Sequence, residues 1–438
     1  MSDIKKIQLG DIAAPGRSVI SGPFGSSIGK RFFKDSGIPV IRGNNLTTDF
    51  KKFIDEGFVF LTKEKADELK ADAIEGDIVF TAAGTIGQVG IIPTQAKYQR
   101  YVISNKQLRF RVDTQKAYPN YVYYWLASPW IFQTIINRNT GSTVPLINLG
   151  IIKSLPITLP SDTTEQKKIA DVLSAIDKKI ELNNRINTEL EAMAKTLYDY
   201  WFVQFDFPDA NGKPYKSSGG KMVYNEVLKR EIPEGWKTEL ILDSCGVIDC
   251  LHSKKPDFLL DDKKHYLLQL ENILDNGQVD VRNKFYVSKP DYLAWTARIE
   301  VKHNDIVMTN AGRTAAFAQI PETVKCGIGR NITAIRPNSI NPNYFFLSLS
   351  GIDIQRQILT NLDHGAFFKS FNVKGIKALK LTRPMIEIEN KFEALVSPII
   401  EKRNKLVFEN NELSKLRDWL LPMLMNGQVT VNPTTENP

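Results

Sequence analysis

The chain has 438 residues, a formal net charge of +8 and 42% hydrophobic residues, values typical of a soluble globular protein with two or three domains. Its N-terminal stretch is mostly polar, and no uninterrupted apolar run is long enough to cross a bilayer. Neither secretion nor a membrane location is therefore expected. Three cysteines are too few for a disulfide framework and fit a cytoplasmic location. The modest basic excess is compatible with a polyanionic partner.

In chain order, mixed regions with short β-rich runs and turns alternate with long stretches of helical periodicity. A stretch rich in Pro, Gly, Asn and Ser separates the two halves and is predicted to be an exposed linker. The predicted division is a first mixed domain at 1–160, a first long helix at 161–205, the linker at 206–231, a second mixed domain at 232–385, a second long helix at 386–426 and a polar tail at 427–438.

The residues from Thr164 to Phe202 contain no Pro and no Gly, and apolar or small residues recur among them at alternating spacings of three and four. This heptad pattern predicts a helix about 58 Å long. Because such a helix is longer than a small domain is wide, we expect it to pack against another long helix. Asn183 and Asn187 would place polar layers in the seam, and polar layers fix register. The predicted seam consists of Ile169, Leu173, Ile176, Ile180, Asn183, Asn187, Leu190, Leu197 and Trp201.

The two halves of the chain form a repeat. Glu75–Gly84 aligns with His303–Gly312 without a gap. The closing stretch has a similar helical rhythm at Leu395, Ile399, Leu406, Leu413, Leu416 and Leu420. The sequence therefore predicts an α+β protein in which two mixed α/β domains are joined by two long antiparallel coiled-coil helices, with a pseudo-two-fold internal repeat.

Such an arrangement suits a two-part site on duplex DNA, because each domain can read one half-site. Loops near glycines supply Asn for adenine, Arg and Lys for guanine, and hydroxyl groups for phosphates. The same residue types are typical of turns, so a purely structural role stays open for each of them. The candidates are Ser21, Phe24, Ser26, Arg42, Asn44, Asn45, Thr81, Thr85, Lys106 and Ser142 in the first half, and Lys254, Lys255, Asn272, Thr309, Asn310, Arg313, Arg330, Asn331, His364 and Lys369 in the second.

Along nearly its whole length the chain resembles the specificity subunits of type I restriction–modification enzymes. The stretches that carry the resemblance, in chain order, are Ser21–Ser26, Gly37–Arg42, Gly141–Pro145, Ile180–Asn187, Trp201–Asp206, Ile232–Trp236 and Leu421–Gln428.

The resemblance implies a non-catalytic subunit with two target recognition domains, each of which reads one half of a split sequence in double-stranded DNA. Its helices would set the spacer between the halves and dock partners. The implied partners are two modification subunits, which bind S-adenosylmethionine and methylate adenine N6, and two restriction subunits that use ATP and Mg²⁺. No cofactor is expected in this chain.

Two features depart from the family pattern. Pro398 should kink or break the second long helix in its early turns. The glycine-poor Cys250–Pro256 stands where the first half has Ser21–Ser26. These departures concern the pairing of the helices and the second-half loop that meets DNA.

Sequence motifs for catalysis are incomplete. Gly25–Lys30 resembles a phosphate loop but has one residue too few between its glycines. Asn341–Tyr344 resembles a motif of adenine methyltransferases, but it corresponds to Tyr118–Tyr121 in the repeat, which favours the start of a helix in both halves. We therefore assign no catalytic residue. A protein that modifies or cleaves DNA on its own and a helical scaffold that bridges proteins remain alternatives.

Metal-dependent chemistry is also weakly supported. Asp291, Glu300 and Lys302 have the spacing of a nuclease core, but Pro290-Asp291 is typical of the first turn of a helix rather than of the strand such a core needs.

A zinc site is a further possibility in the second half. Cys245, Cys250 and His252 could form part of one, but no second ligand pair follows at a suitable spacing. We therefore predict no metal site.

Overall fold

The computed structural model contains two compact units, each of which includes part of both long helices. Unit 1 comprises Met1–Leu182 with Glu412–Pro438, and unit 2 comprises Asn183–Asn411. None of the helices among the described residues is both long and apolar enough to cross a bilayer. The structure describes residues 3–260, 263–312, 315–364 and 369–431.

Two four-stranded sheets form the body of unit 1. Ile78–Thr81 and Tyr101–Ile103 contain only buried residues, as expected for apolar runs covered on both faces. The antiparallel sheet has the order Val19–Ser21, Gln107–Phe110, Ile78–Thr81, Val89–Ile91. The second sheet has the order Val59–Leu61, Ile38–Ile41, Tyr101–Ile103, Asp72–Ala73, with a parallel central pair. Ile4–Gln8 and Pro156–Pro160 form a separate antiparallel pair.

Short helices pack against these sheets. Pro119 and Pro129 occupy the start of two consecutive helices, where the missing N–H of proline has no helical partner to lose. The first of these helices buries every side chain from Tyr121 to Leu126 in the main core of the unit. The helices of unit 1 are Lys63–Leu69, Pro119–Leu126, Pro129–Asn137, Leu149–Lys153 and most of the first long helix, Thr163–Tyr198.

Unit 2 repeats the strand order of unit 1. Its antiparallel sheet runs Cys245–Asp249, Ile332–Pro337, Ile306–Thr309, Phe317–Gln319. A three-stranded sheet runs Phe285–Tyr286, Tyr266–Leu268, Gly327–Ile328, and its last pair is parallel, as in unit 1. The remaining pairs are Met222–Asn225 with Arg230–Pro233, Lys237–Leu240 with Lys380–Arg383, and Asp363–His364 with Lys369–Ser370. The internal repeat predicted from the sequence is confirmed.

The helices of unit 2 also follow the repeat. Pro342 starts a helix as Pro119 does, which confirms that the segment resembling a methyltransferase motif begins a helix in both halves. Asp291 lies in the first turn of a helix capped by Ser288. The helices are Ile241–Ser244, Lys289–Thr296, Pro342–Leu349, Ile352–Thr360, Val373–Lys377, the π-helical turn Asp199–Val203 and most of the second long helix, Ile386–Met425.

The stretch 206–231, predicted to be an exposed linker, is partly folded. Phe207 is buried and stacks on Tyr215 and Trp236, with ring centroids 4.7 and 5.2 Å apart. A hairpin of Met222–Asn225 and Arg230–Pro233 follows. The prediction rested on the Pro and Gly content and overlooked the aromatic residues, whose burial packs this stretch against the rest of unit 2.

The second long helix departs from two further expectations. It continues without a break through the exposed Pro398. Leu395 and Leu416, both expected in the seam, are 50% and 43% exposed. The positions buried on this helix are Ile388, Glu389, Phe392, Val396, Ile400, Arg403, Leu406, Asn410, Arg417, Leu421, Leu424 and Met425, of which Leu406 also belongs to the predicted seam.

Candidate nucleic-acid interface

Several loops of unit 1 meet at one end of its antiparallel sheet. Gly22 N–H donates to Gln107 O (2.9 Å), Ala82 N–H donates to Lys106 O (2.7 Å), and Ile147 N–H donates to Ala82 O (2.9 Å). These bonds join four segments: the loop after Val19–Ser21, the turn before Gln107–Phe110, the turn after Ile78–Thr81, and the segment that follows Gly141. The candidate residues of the first half lie on or beside these loops.

Unit 2 repeats two of these three backbone hydrogen bonds. Asn310 N–H donates to Asn331 O and Phe371 N–H donates to Asn310 O, both at 2.8 Å. The bridge between Ala83 and Leu146 likewise corresponds to the bridge between Ala311 and Ser370. The backbone contacts recur although the side chains differ. The loop arrangement therefore does not depend on the exposed side chains, which can differ between the units.

Part of the candidate set is buried and supports the loops. Thr81 Oγ1 donates to Gln88 Oε1 (2.8 Å), and Asn310 Oδ1 accepts from Thr333 Oγ1 (2.9 Å). Side chains engaged in this way are held within the loops, and their assignment to DNA contact stays a prediction. These buried candidates are Asn45, Thr81, Asn272, Thr309 and Asn310.

Asn45 and Asn272 show the physical reason most clearly. In each, Nδ2 donates to two carbonyl oxygens of the following loop, and Oδ1 accepts the backbone N–H three residues earlier, at 2.7–2.9 Å. A buried amide must satisfy its donors and acceptors, and the loop backbone does so here. The turn role that the sequence left open is the one observed for this pair.

Other candidates are exposed or half-buried. Phe24 is 86% exposed. The half-buried Arg42 and the exposed Asn44 both donate to Gly57 O, at 3.1 and 3.4 Å. The exposed candidates are Ser21, Phe24, Ser26, Asn44, Thr85, Lys106, Ser142, Lys254, Lys255, Arg330 and Asn331.

The loop after the first sheet strand differs between the units for a steric reason. A Cβ at Gly22 would lie 1.8 Å from Ser104 O, so only glycine permits this close approach. Cys250 stands at the corresponding place in unit 2, and the chain there carries the exposed Lys254 and Lys255 instead. Lys255 Nζ lies 4.1 Å from the centre of the Phe285 ring.

Three candidates of the second half are described only in part or not at all. Arg313 lies outside the described residues. His364 and Lys369 pair through their backbones in two short strands.

The carboxylates of the nuclease-like spacing serve local structure. Asp291 Oδ2 accepts from Ser288 Oγ (2.6 Å) at the start of a helix. Glu300 accepts from Tyr292 Oη (2.7 Å) and pairs with Lys325 (2.8 Å). Both groups thus have protein partners that account for their positions.

Among the described residues, Asp249, Cys250 and His252 place potential metal-ligand atoms within 4.8 Å of one another. His252 Nε2 lies 2.7 Å from Asp249 Oδ2. Burial raises the pKa of the Cys250 thiol, which disfavours the thiolate that a metal would need. Cys245 is not part of this group.

In unit 1 a polar cluster joins the two long helices. Asp177 accepts from Tyr124 Oη (2.5 Å) and from Arg417 Nη1 (3.2 Å). Lys52 Nζ donates to Ser174 Oγ (2.8 Å). Burial is the largest influence on both charged groups: it raises the pKa of the Asp177 carboxyl and lowers the pKa of the Lys52 amine. The cluster connects the helix pair to the loop that carries Lys52.

In unit 2 asparagines join the same two helices. Asn183 Nδ2 donates to Asn410 Oδ1 and to Glu409 Oε2, both at 2.9 Å, and Asn410 Nδ2 donates to Asn184 Oδ1 (2.8 Å). Asn183 and Asn187 are buried. Buried amide pairs of this kind disfavour a shift of one helix along the other, because a shift would leave them unpaired.

Sequence reasoning missed several polar residues in and around these loops. Gln88 Nε2 donates to Leu46 O (2.9 Å), and Gln107 accepts from Ser104 Oγ. Asn105 is exposed in the same turn as Lys106. Asn105 could have been found from its place in a short turn, whereas the role of Gln88 depends on a contact with a segment distant in sequence.

Two units with a similar loop arrangement, each containing part of a pair of long helices, define a protein built on an internal duplication. Residues 1–192 match the family described as "Type I restriction modification DNA specificity domain". The resemblance to type I specificity subunits is thereby confirmed.

Two curated relatives match the sequence of this chain along almost its whole length. The "Type I restriction enzyme MjaIX specificity subunit" of Methanocaldococcus jannaschii is 23% identical, over 98% of this chain and 94% of its own length. The "Type I restriction enzyme HindI specificity subunit" of Haemophilus influenzae is 24% identical, over 98% of this chain and all of its own length. Both are specificity subunits by name, in agreement with the predicted non-catalytic subunit.

A solved structure supports the fold. The S subunit of a type I restriction–modification system from M. genitalium superimposes with a TM-score of 0.57 at 15% identity, over 99% of this chain and 97% of that one. The predicted fold class is therefore confirmed.

Proposed function

We propose that this chain is the DNA-recognition subunit of a type I restriction–modification complex, and that each unit reads one half of a bipartite duplex target. The observation that carries the proposal is the loop arrangement, in which two of the closing backbone hydrogen bonds recur in both units. A duplicated loop surface with different exposed side chains suits two half-sites of different sequence.

Particular exposed residues would make the contacts. Lys106, Arg330 and the pair Lys254 and Lys255 supply charge for phosphates and for guanine. Phe24 offers an apolar surface that can contact a thymine methyl group or a base step.

The long helices would set the spacer and dock the partners. Exposed apolar side chains lie on them in both units: Leu416 and Trp419 in unit 1, and Met193, Leu395 and Phe408 in unit 2. Exposed apolar groups of this size are typical of protein interfaces. The partners proposed are two modification subunits that carry S-adenosylmethionine and two restriction subunits that use ATP and Mg²⁺, in a cytoplasmic complex.

The test begins with the full chain assembled with its modification subunits. Methylated adenines mapped in the host genome give the target, and duplex binding is then measured as a function of salt. Lys106→Ala should weaken binding. It should also reduce the slope of log K against log salt concentration by about one, the amount expected for the loss of one phosphate contact. Lys116→Ala is the matched control, since Lys116 is exposed in a turn at the other end of the same sheet. Equal effects of the two variants would contradict the proposed surface.

The same preparation separates the alternatives. A chain that modifies or cleaves DNA by itself would show activity with S-adenosylmethionine or Mg²⁺ in the absence of other subunits. A helical scaffold would bind the modification subunits without salt-dependent binding of duplex DNA. We expect neither result.

A further inference from the structure

A basic cavity opens in unit 1 at the end of the antiparallel sheet opposite to the candidate DNA loops. It lies where the strand Val19–Ser21 begins and the strand Gln107–Phe110 ends. Its volume of about 400 Å³ falls in the range of small-ligand sites. The charged residues that line it are Arg17, Lys70, Asp72, Arg109 and Arg111.

Arg109 is the buried cation of this cavity. Its side chain is 5% exposed. Nη1 donates to Asp72 O (2.8 Å) and Nη2 to Arg17 O. The buried Nε has no hydrogen-bond partner among the described residues. Burial lowers the pKa of the guanidinium, and Asp77 at 3.8 Å opposes that shift.

The carboxylates nearby are already engaged by other cations. Asp77 accepts from Arg111 Nε and Nη2, both at 2.7 Å. Asp72 pairs with Arg100 at 2.8 Å. The charges of Arg17 and Lys70 at the exposed side therefore add to that of Arg109, and the cavity attracts anions.

The second half of the chain shows that the fold does not require this cation. The ion pair of Arg111 with Asp77 recurs in unit 2 as Arg336 with Asp305. Arg109 faces Val79 on the neighbouring strand, and the residue in the corresponding place of unit 2 is Ala334. The sheet thus carries a buried cation at this position in unit 1 and an alanine at the same position in unit 2.

We propose that this cavity binds a phosphate-bearing anion, held by the buried Arg109 and by the exposed Arg17 and Lys70. Guanidinium groups suit phosphate because their N–H donors match two of its oxygens. The phosphate can be free, as inorganic phosphate or on a nucleotide, or it can belong to the DNA backbone. The proposal concerns a surface away from the candidate DNA loops and does not depend on the proposed function.

The test uses the full chain and three probes: inorganic phosphate, adenosine 5′-monophosphate and a short duplex. Binding is followed by titration calorimetry and, for the duplex, as a function of salt. Lys70→Asn and Arg17→Gln each remove one exposed charge. Asn suits position 70 because Lys70 has a φ of +50°. Lys63→Gln is the matched control, because Lys63 begins the short helix that ends just before Lys70 and lies outside the cavity.

If the phosphate is free, inorganic phosphate or the nucleotide should bind, and each cavity variant should weaken binding roughly fivefold while Lys63→Gln has no effect. Arg109→Ala, which copies unit 2, should weaken binding at least tenfold. If that variant does not fold, the two surface variants decide.

If the phosphate belongs to DNA, only the duplex should respond, with lower affinity and a smaller salt slope for the cavity variants than for the control. The proposal is overturned if the cavity variants match the wild type on every probe, or if Lys63→Gln has the same effect as they do.

Discussion

Arg403, on the second long helix, is a buried cation with little compensation. Its side chain is buried, its Nε has no partner among the described residues, and its guanidinium lies 5.6 Å from the centre of the Phe346 ring. Burial lowers the pKa of Arg403 and raises the pKa of Glu191, the acidic group that opposes it. Buried charges of this kind carry a desolvation cost that their mutual attraction recovers only in part.

We therefore expect the double variant Arg403→Met with Glu191→Gln to be more stable than the wild type by about 1–2 kcal/mol. Met keeps an apolar stem, and Gln keeps an acceptor for Gln278 Nε2, which now donates to Glu191 (3.0 Å). Urea unfolding midpoints measure the change. Arg403→Met alone is the control and should be less stable than the double variant. A midpoint of the double variant below that of the wild type would contradict the argument.

Glu393, on the same helix, should make stability depend on pH. It accepts from Asn343 Nδ2 (2.8 Å) and Tyr344 N–H (3.2 Å), yet burial is the larger influence and raises the pKa of its carboxyl. The nearby Glu389 raises it further. A carboxyl with a raised folded pKa stabilises the fold fully below its unfolded pKa of about 4.3, and this contribution is lost as pH rises through the folded value.

Glu393→Gln should remove this dependence. The unfolding free energy of the wild type minus that of the variant should therefore fall as pH is raised from about 4 to about 7. Urea unfolding at several pH values across that range measures this difference. A cost of the substitution that does not depend on pH shifts every value equally and leaves the trend unchanged. A difference that stays level or grows with pH would refute the assignment.

At the scale of elements, periodicity and composition predict which segments become helices and that the chain repeats. They fail where the answer depends on packing. The second long helix carries large exposed apolar side chains, such as Phe408 and Trp419, so its sequence supports more than one apolar line. Leu395 and Leu416 lie on an exposed line for that reason.

The candidate site shows the same limit. The loops could be located from their turn residues, but which side chains face outward could not. Asn45 and Thr81 look like DNA-reading residues in sequence, but the carbonyl groups and Gln88 that engage them lie seven to eleven residues further along the chain, outside the motif of each residue. Burial of a polar group depends on partners that a local motif does not contain.

The asparagine layer of the helix pair leads to a prediction about spacing, which rests on the proposed function. Four residues inserted after Asn184 add about 6 Å, close to one helical turn, so the buried faces keep nearly the same orientation. We expect the spacer of the DNA target to lengthen while both half-sites stay the same. The mapping of methylated adenines measures the spacer. An insertion in the hairpin turn at 226–229 is the control, and altered half-sites with an unaltered spacer would refute the prediction.

For the molecule as a whole, the two units share a set of structural contacts and differ in chemistry around it. The shared contacts are the loop-closing backbone bonds, the buried amides Asn45 and Asn272 and an ion pair on the antiparallel sheet. The differences are at exposed loop positions and at Arg109, which unit 2 replaces by Ala334. A duplication with this division can change what each unit binds without changing how it folds.

That division predicts the outcome of an exchange. The candidate loops of unit 1 all lie within residues 1–155, and the hydrogen bonds that close them stay within that range. Replacing residues 1–155 by the corresponding part of another specificity subunit should therefore change one half of the DNA target and leave the other half intact. Methylated adenines, mapped in cells that express the exchanged chain with its modification subunits, report both halves. The reciprocal exchange of residues 232–385 should change only the other half. If either exchange altered both halves, the units would not read DNA independently, because side chains of one would then influence the bases selected by the other.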